Sequence, residues 1–189
     1  MKRSFVVLAV LLLVGAMATA ANRTDPGFVG RPGGPPTDAG TDECPGTPIT
    51  GPLPYADSGD TCAGTNSITS YTGTCTLPFP YGGEDLIYEI ALGAGNNVGF
   101  SADLTGSAGD LALFLIATCG NGASCVVNSQ DAIGPGVGPE EIPPASYPPA
   151  TYYLYVDSYY DAGSPGSCGT YNLTVTGTVP VELIEFTAS

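Results

Sequence analysis

Hydrophobic and polar residues alternate along several short stretches of this chain, and a period of two is typical of β-strands. Residues 85–92 (DLIYEIAL), 98–104 (VGFSADL) and 170–175 (TYNLTV) alternate in this way. Residues 110–118 (DLALFLIAT) are apolar on both faces, which predicts a strand covered on both sides of its sheet. The inward positions of the first stretch are Leu86, Tyr88, Ile90 and Leu92.

Turn residues separate these stretches. No stretch of the chain keeps the hydrophobic period of an α-helix for three turns. Weaker strands are predicted at 47–55, 67–71 and 124–129. Many short strands with Gly, Pro, Asn and Asp between them indicate an all-β protein. We therefore expect a single jelly-roll-like β-sandwich of about eight short antiparallel strands over residues 44–178.

The N-terminus has the three parts of a signal peptide. Lys2 and Arg3 are followed by the apolar run SFVVLAVLLLVGAMA and then by small residues around Ala20. We predict a signal peptide at 1–21, cleaved after Ala20 or Ala21. The alternative is an uncleaved membrane anchor, for which this apolar run is short. The predicted product is secreted, extracellular or on the cell surface, and no later segment is apolar enough to insert into a membrane.

The two ends of the mature chain differ in composition. Residues 22–43 are rich in Pro, Gly and Asp, which predicts a flexible leader. Residues 179–189 (VPVELIEFTAS) are too apolar to remain exposed and too short to form a core. This segment is predicted to be an extra strand of its own sandwich, a strand added to a neighbouring molecule, or a linker to a sorting region.

Six cysteines in an exported chain indicate disulfides. Fifteen pairings of six cysteines are formally allowed, and the short spacings favour two local bridges. The residues between Cys62 and Cys75 look like a hairpin, and those between Cys119 and Cys125 look like a tight loop. We predict the pairs Cys62–Cys75 and Cys119–Cys125, which leave Cys44–Cys168 to tie the start of the domain to its end. All three disulfides would cross-link the predicted sandwich.

The charge is strongly negative and the usual catalytic residues are missing. The chain has 18 acids, four basic residues and no His, for a net charge of −14. The loss of Lys2 and Arg3 with the signal peptide would make it −16. Such a surface is unsuited to nucleic acid and to anionic membranes. Without His, and with no Lys beyond Lys2, neither Ser-His-Asp catalysis nor a Schiff base is available. Paired carboxylates such as those of glycosidases are the alternative, with Asp103, Asp110, Asp157 and Asp161 as candidates. Most of these acids are close to turn residues, where aspartate commonly caps a turn, so we predict no enzymatic activity.

Residues 151–163 (TYYLYVDSYYDAG) hold five of the eleven tyrosines. Alternation places Tyr152, Leu154 and Val156 in the core, and it places Tyr153, Tyr155 and Asp157 on the opposite face. Tyrosine is a good strand former, so one interpretation is purely structural. The other interpretation is an aromatic ligand-binding surface, whose candidate residues are Tyr153, Tyr155, Tyr159 and Tyr160.

Calcium is the one cofactor that the residues suggest, because it prefers the hard oxygens of carboxylates and carbonyls. Two short stretches bring a pair of carboxylates together. These are DSGD, with Asp57 and Asp60, and VDSYYDAG, with Asp157 and Asp161. Neither has the spacing of an EF-hand loop, and the alternative is an acidic surface that attracts counter-ions.

The order of the strands resembles the bacterial pre-peptidase C-terminal domain family. The similar pieces are GGEDLIYEIAL (82–92), AGDLALFLIATC (108–119), PEEI (139–142), ATYYLYVDSYYDAG (150–163) and GTYNLTV (169–175). Ala150 stands where the family usually has a glycine. The resemblance implies a β-sandwich that is non-catalytic, that accompanies secreted enzymes, and that in similar collagen-binding modules is associated with calcium.

Two functions are consistent with these features. The first is a secreted or cell-surface binding module that recognises an extracellular polysaccharide or protein. The alternative is a structural surface protein whose subunits self-associate through the C-terminal strand into oligomers or filaments. Exposed aromatic residues would favour the binding module, and an unpaired strand outside the domain would favour the self-associating structural protein.

Overall fold

The computed structural model describes residues 40–75, 81–104, 107–129 and 135–179. The predicted signal peptide, most of the predicted leader and residues 180–189 lie outside these ranges. Within them, no helix is long and apolar enough to cross a membrane. The strands of these ranges are β1 (Thr47–Pro48), β2 (Tyr55–Asp60), β3 (Leu86–Leu92), β4 (Asn97–Asp103), β5 (Leu111–Ile116), β6 (Cys125–Asn128), β7 (Glu140–Ala145), β8 (Ala150–Ser158) and β9 (Thr170–Thr178). Two single 3₁₀ turns lie at Thr61–Ala63 and Gly122–Ser124.

The strands form two sheets. The five-stranded sheet has the order β1-β3-β8-β5-β6, and the four-stranded sheet has the order β2-β9-β4-β7. Neighbouring strands are antiparallel, except that β1 is parallel to β3. The predicted all-β sandwich is therefore confirmed, with nine strands in the described ranges where about eight were expected.

The main core lies between the two sheets and is built from the alternating positions that the sequence indicates. The inward side chains of β3, β5 and β8 meet those of β4 and β9, as the period of two requires. Its largest fully buried members include Tyr88, Phe100, Leu113 and Ile142. Every residue of β5 is buried, which confirms that this strand is covered on both faces.

Six predicted strands match β3, β4, β5, β6, β8 and β9, and the strand predicted at 47–55 is reduced to the two residues of β1 and the first residue of β2. Two observed strands, β2 and β7, were not predicted. β7 has the sequence EEIPPA, and two adjacent prolines argue against a central strand. It occupies the edge of the four-stranded sheet, where missing backbone donors are tolerated, and β4 has a bulge between Val98 and Phe100 beside it. β2 has the turn-like sequence YADSGD. The strand predicted at 67–71 is wrong, because these residues form no strand.

All six cysteines form disulfides, but the three predicted pairs are wrong. The bridges are Cys44–Cys119, Cys62–Cys168 and Cys75–Cys125, which join residues 75, 106 and 50 positions apart. The local pairing assumed that residues 62–75 fold into a hairpin. They instead run over the five-stranded sheet, so Cys62 and Cys75 each reach a different part of the sandwich.

Candidate functional site

A segment before β3 covers much of the outer face of the five-stranded sheet, together with the ring of Tyr81. We call Thr61–Cys75 the cover segment, and it is held to the sandwich by backbone hydrogen bonds along its length. The Asp85 N–H donates to the Thr65 carbonyl at 2.9 Å, and the Thr72 N–H donates to the Gly122 carbonyl at 3.0 Å. The contact is close, since a Cβ at Gly122 would overlap the carbonyl of Ser70. Disulfides fix both ends of the cover segment.

A second hydrophobic core lies beneath the cover segment. Ile68 and Tyr71 of the cover segment pack against Phe114 and Tyr155 of the sheet. The rings of Tyr71 and Phe114 are stacked, with centroids 3.7 Å apart and planes 4° from parallel. Tyr155 meets Tyr71 edge to face at 6.4 Å. The outer face of this sheet is therefore interior, and it is not a free surface.

The predicted tyrosine surface is wrong for its central residue. Tyr155 does lie opposite Leu154, as alternation requires, but it is 0% exposed. Its hydroxyl accepts a hydrogen bond from the Gly120 N–H at 2.9 Å. Tyr153 and Tyr159 are half-buried, and Tyr160 alone is exposed, at 37%. A period of two assigns a residue to a face of the sheet, but it does not show that another segment covers that face.

Asp157 is also buried under the cover segment rather than lying in a turn. It belongs to β8, is 0% exposed, and accepts a hydrogen bond from the Tyr71 hydroxyl at 2.7 Å. Asp85, just before β3, is 0% exposed as well. The Asp85 carboxylate accepts from the backbone N–H groups of Ser67 and Ile68, at 2.8 and 3.2 Å. Both acids thus bind the cover segment to the sheet.

Asp57 and Asp60, the first predicted calcium pair, both lie in strand β2. Asp57 points towards the main core and accepts from the Tyr88 hydroxyl at 3.1 Å. Burial raises the pKa of Tyr88, so this hydroxyl keeps its proton and remains a donor. Asp60 is exposed and caps the first 3₁₀ turn by accepting from the Cys62 N–H at 3.0 Å.

Asp161, the last of the predicted calcium ligands, lies in the turn after β8. A Cβ at Gly82 would be 2.9 Å from Asp161 Oδ1, and Asn66 Nδ2 donates to the Gly82 carbonyl at 2.7 Å. Glu84 Oε1 accepts from the Gly163 N–H at 3.3 Å. Asn66 Oδ1 and Glu84 Oε2 are buried atoms without a hydrogen-bond partner in the structure. These two oxygens and the Asp161 carboxylate are of the type that calcium binds. Among the described residues, however, no group of three or more Asp, Glu, His or Cys side chains is arranged so that it could hold a metal ion.

In contrast to the five-stranded sheet, the four-stranded sheet presents an open outer face made of small polar side chains. Ser58 of β2 is opposite Asn172 of β9, and Asn172 is opposite Asp103 of β4. Residues directly opposite each other in antiparallel strands point to the same side, so these three form one outward row. Asp60 and Thr170 form the next row. All five side chains are exposed.

These two rows line a cleft of about 360 Å³. Its lining residues are Ser58, Gly59, Asp60, Asp103, Thr170, Tyr171 and Asn172. The cleft offers two carboxylates, two hydroxyls and one carboxamide, and Tyr171 lies beneath them with its ring buried. Its chemistry therefore suits a ligand rich in hydroxyl groups, which donate to carboxylates and accept from hydroxyls, or in amino groups, which donate to carboxylates. A smaller groove of about 100 Å³ lies beside it, between β4 and β7 on the same sheet.

The alternation in TYNLTV predicts that Asn172 and Thr174 point outward from their strand, but it does not identify the cleft. The pairing of that strand with β2 was not readable, because β2 has the composition of a turn. Nothing in the sequence indicated that Asp85 and Asp157 would face the cover segment.

Comparison with known proteins gives one structural match. No family model and no curated protein matches the chain. Among solved structures, the pre-peptidase C-terminal domain of collagenase from Bacillus anthracis is similar to this chain, with a TM-score of 0.43 and 19% sequence identity. The match covers 69% of this chain and 93% of that domain. The solved domain belongs to the family that the sequence motifs of this chain resemble.

Proposed function

We propose that this protein is a non-catalytic extracellular binding module, and that it binds a neutral polysaccharide on the outer face of its four-stranded sheet. One observation carries this proposal: one sheet is covered by the cover segment, whereas the other presents an open polar cleft. Asp60, Asp103 and Asn172 supply the charged and amide groups that hydrogen-bond to sugar hydroxyls. An extracellular protein with hydroxyl-rich or basic side chains is the other ligand class that this cleft suits.

The charge distribution supports a neutral or basic ligand. Every Lys and Arg of the chain lies at positions 2 to 31, so the described part carries acids and no basic side chain. Polyanions would be repelled from this surface. Three disulfides further support an extracellular location, because such bridges persist in oxidising compartments.

The test is binding of the purified mature protein to a panel of neutral polysaccharides and extracellular matrix proteins. The double substitution Asp103→Asn with Asn172→Ala should weaken binding to a ligand of the panel by about tenfold or more. Each substitution removes hydrogen bonds between the cleft and the ligand. A hydrogen bond to a charged group contributes about 1.5 to 3 kcal/mol, and about 1.4 kcal/mol of binding free energy corresponds to a tenfold change in affinity. Both side chains are exposed, so the fold should be retained.

A matched control separates the cleft from the rest of the surface. Glu43→Gln with Asn97→Ala makes the same changes of charge and amide at exposed positions that do not line the cleft. This control should bind like the native protein. Equal affinity of all three proteins for every ligand bound would contradict the proposal.

A second candidate function is self-assembly by strand addition, and the edge of β2 favours it. β2 (YADSGD) is an edge strand without proline, and the described residues contain no strand beyond it. A strand from another molecule can therefore pair with its backbone, and the apolar segment 179–189 is a suitable donor in composition. Deletion of residues 179–189 should then abolish a concentration-dependent oligomer in sedimentation velocity. A native protein that is monomeric at all concentrations would exclude this function.

A further inference from the structure

Two depressions on the open face of the four-stranded sheet lie along the same pair of strands. The cleft of about 360 Å³ includes Asn172 of β9 and Asp103 of β4, which are directly opposite each other. The smaller groove of about 100 Å³ includes Thr176 of β9 and Ser101 of β4. Both depressions therefore lie along β4 and β9, one after the other.

The pair of Thr174 and Ser101 connects the two depressions. These residues are opposite each other and half-buried, and they lie two positions along their strands from the pair in the cleft. Side chains two residues apart on a strand point to the same side. Four residues thus form one outward line along β9, about 20 Å long at about 3.4 Å per residue: Thr170, Asn172, Thr174 and Thr176. We call this line, together with the outward residues of β4 beside it, the polar track.

Pro144 closes the polar track at the end that contains the groove. A Cβ at Gly99 would be 2.8 Å from Pro144 Cγ, so the proline ring packs directly over this glycine. Gly99 is opposite Thr176 and is buried, although the outward positions of β4 on either side of it are at least partly exposed. The polar track therefore ends at Pro144 and does not include Asn97, the next outward residue of β4.

The chemistry of the polar track is similar at its two ends. The cleft has the carboxylates of Asp60 and Asp103, and the groove has that of Glu141. Glu141 is exposed and lies opposite Ser101. Carboxylates accept hydrogen bonds from sugar hydroxyls, and the Ser and Thr hydroxyls between them both donate and accept. The described ranges contain no Lys or Arg, so neither end offers a cation to an anionic chain, and a neutral chain rich in hydroxyls is the complementary ligand.

We propose that the polar track binds an extended, neutral, β-linked polysaccharide along β9, with the groove as a second subsite for the sugar units that continue beyond the cleft. This inference rests on the proposed function, because it gives the ligand of the cleft a second set of contacts. Hydrogen-bonding groups arranged along one strand match a chain that is itself extended, whereas α-linked glucose chains curve. A chain that occupies both subsites loses its translational and rotational freedom only once, so the second set of contacts increases the affinity.

The experiment compares oligosaccharides of two lengths by isothermal titration calorimetry with the purified mature protein. The probes are cellobiose and cellohexaose, chitobiose and chitohexaose, and maltohexaose as the curved chain. A β-linked hexasaccharide should bind about tenfold or more tightly than its own disaccharide, which is the effect of one hydrogen bond to a charged group. Maltohexaose should bind no more tightly than the disaccharides.

A variant of the groove tests the second subsite. Glu141→Gln with Ser101→Ala removes a charge and a hydroxyl from the groove, so it should weaken binding of the β-linked hexasaccharide by about tenfold and leave binding of the disaccharide unchanged. Glu43→Gln with Asn97→Ala, outside the polar track, is the matched control and should bind both lengths like the native protein. A damaged fold would weaken both lengths equally, so the difference between the lengths separates a subsite from a structural effect.

The outcomes also distinguish this inference from the proposed function. Equal affinity for the two lengths, or a groove variant with the native preference for the hexasaccharide, would overturn the second subsite. If Asp103→Asn with Asn172→Ala still weakened binding of the disaccharide, the proposed function would stand without it. Failure of every β-linked oligosaccharide to bind, or tighter binding of a Lys-rich peptide than of any of them, would overturn the polysaccharide as the ligand of the polar track.

Discussion

At the scale of single residues, burial distinguishes tyrosines that look equivalent in the sequence. Tyr153 and Tyr155 are two positions apart on the same face of β8, yet the first is half-buried and the second fully buried. The difference arises from the cover segment, whose Tyr71 ring packs against Tyr155. Tyr155 is therefore a core residue, and its role as a ligand contact is not supported.

Substitution of these two tyrosines tests that difference. Tyr155→Ser should lower the free energy of unfolding by about 3 to 5 kcal/mol, as is typical of removing a buried aromatic ring. Tyr153→Ser should lower it by about 1 kcal/mol or less, because this ring is partly solvated. Urea denaturation followed by circular dichroism measures both values. Similar losses for the two variants would show that Tyr155 is no more buried than Tyr153.

At the scale of secondary-structure elements, the sequence predicts the strands that alternate and fails where a segment has the composition of a loop. Residues 86–92 and 170–178 form strands because their apolar positions face the core. β2 and β7 were missed because Asp, Gly and Pro weaken the strand pattern. The cover segment was interpreted as a hairpin because its Gly, Thr and Ser content suits a turn, while its attachment depends on long-range partners such as Asp85 and Gly122. Local composition contains no information about such partners.

The disulfide pattern is the most direct test of how these elements are arranged. Non-reducing peptide mapping of the purified protein should recover Cys44–Cys119, Cys62–Cys168 and Cys75–Cys125. Loss of the last bridge, by Cys75→Ser with Cys125→Ser, should lower stability by about 2 to 4 kcal/mol, because it closes a long loop. Recovery of the local pairs Cys62–Cys75 and Cys119–Cys125 would contradict the observed path of the cover segment.

Calcium binding stays a prediction, and we propose the turn at Asp161 as its position. We expect millimolar calcium to raise the melting temperature relative to a chelator at equal ionic strength, since a ligand of the folded state stabilises it by mass action. Glu84→Gln should remove this shift, because Glu84 Oε2 is one of the buried oxygens without a partner. Asp60→Asn, which changes the other predicted calcium-binding pair (Asp57 and Asp60), serves as the control and should keep the shift. An equal melting temperature of the native protein in calcium and in chelator would contradict this prediction.

At the scale of the whole molecule, the two sheets differ in what they present to solvent. The five-stranded sheet lies between the main core and the second core, so both of its faces are interior over most of their area. The four-stranded sheet has one face on the main core and leaves the other open, with the cleft of Ser58, Asp103 and Asn172. A polar open face, on a part of the chain whose described residues include acids and no Lys or Arg, suits a ligand that is neutral or basic.

The position of a bound ligand is the most direct test of whether the cleft of the four-stranded sheet is the binding site. Backbone amide chemical shifts of the isotope-labelled mature protein are recorded with and without a ligand identified in the binding panel. We expect the largest changes at Ser58, Asp60, Asp103, Thr170 and Asn172, the residues that line the cleft. Changes confined to the cover segment or to the turn at Tyr159 and Tyr160 would contradict it, because they would place the binding surface on the five-stranded side of the sandwich.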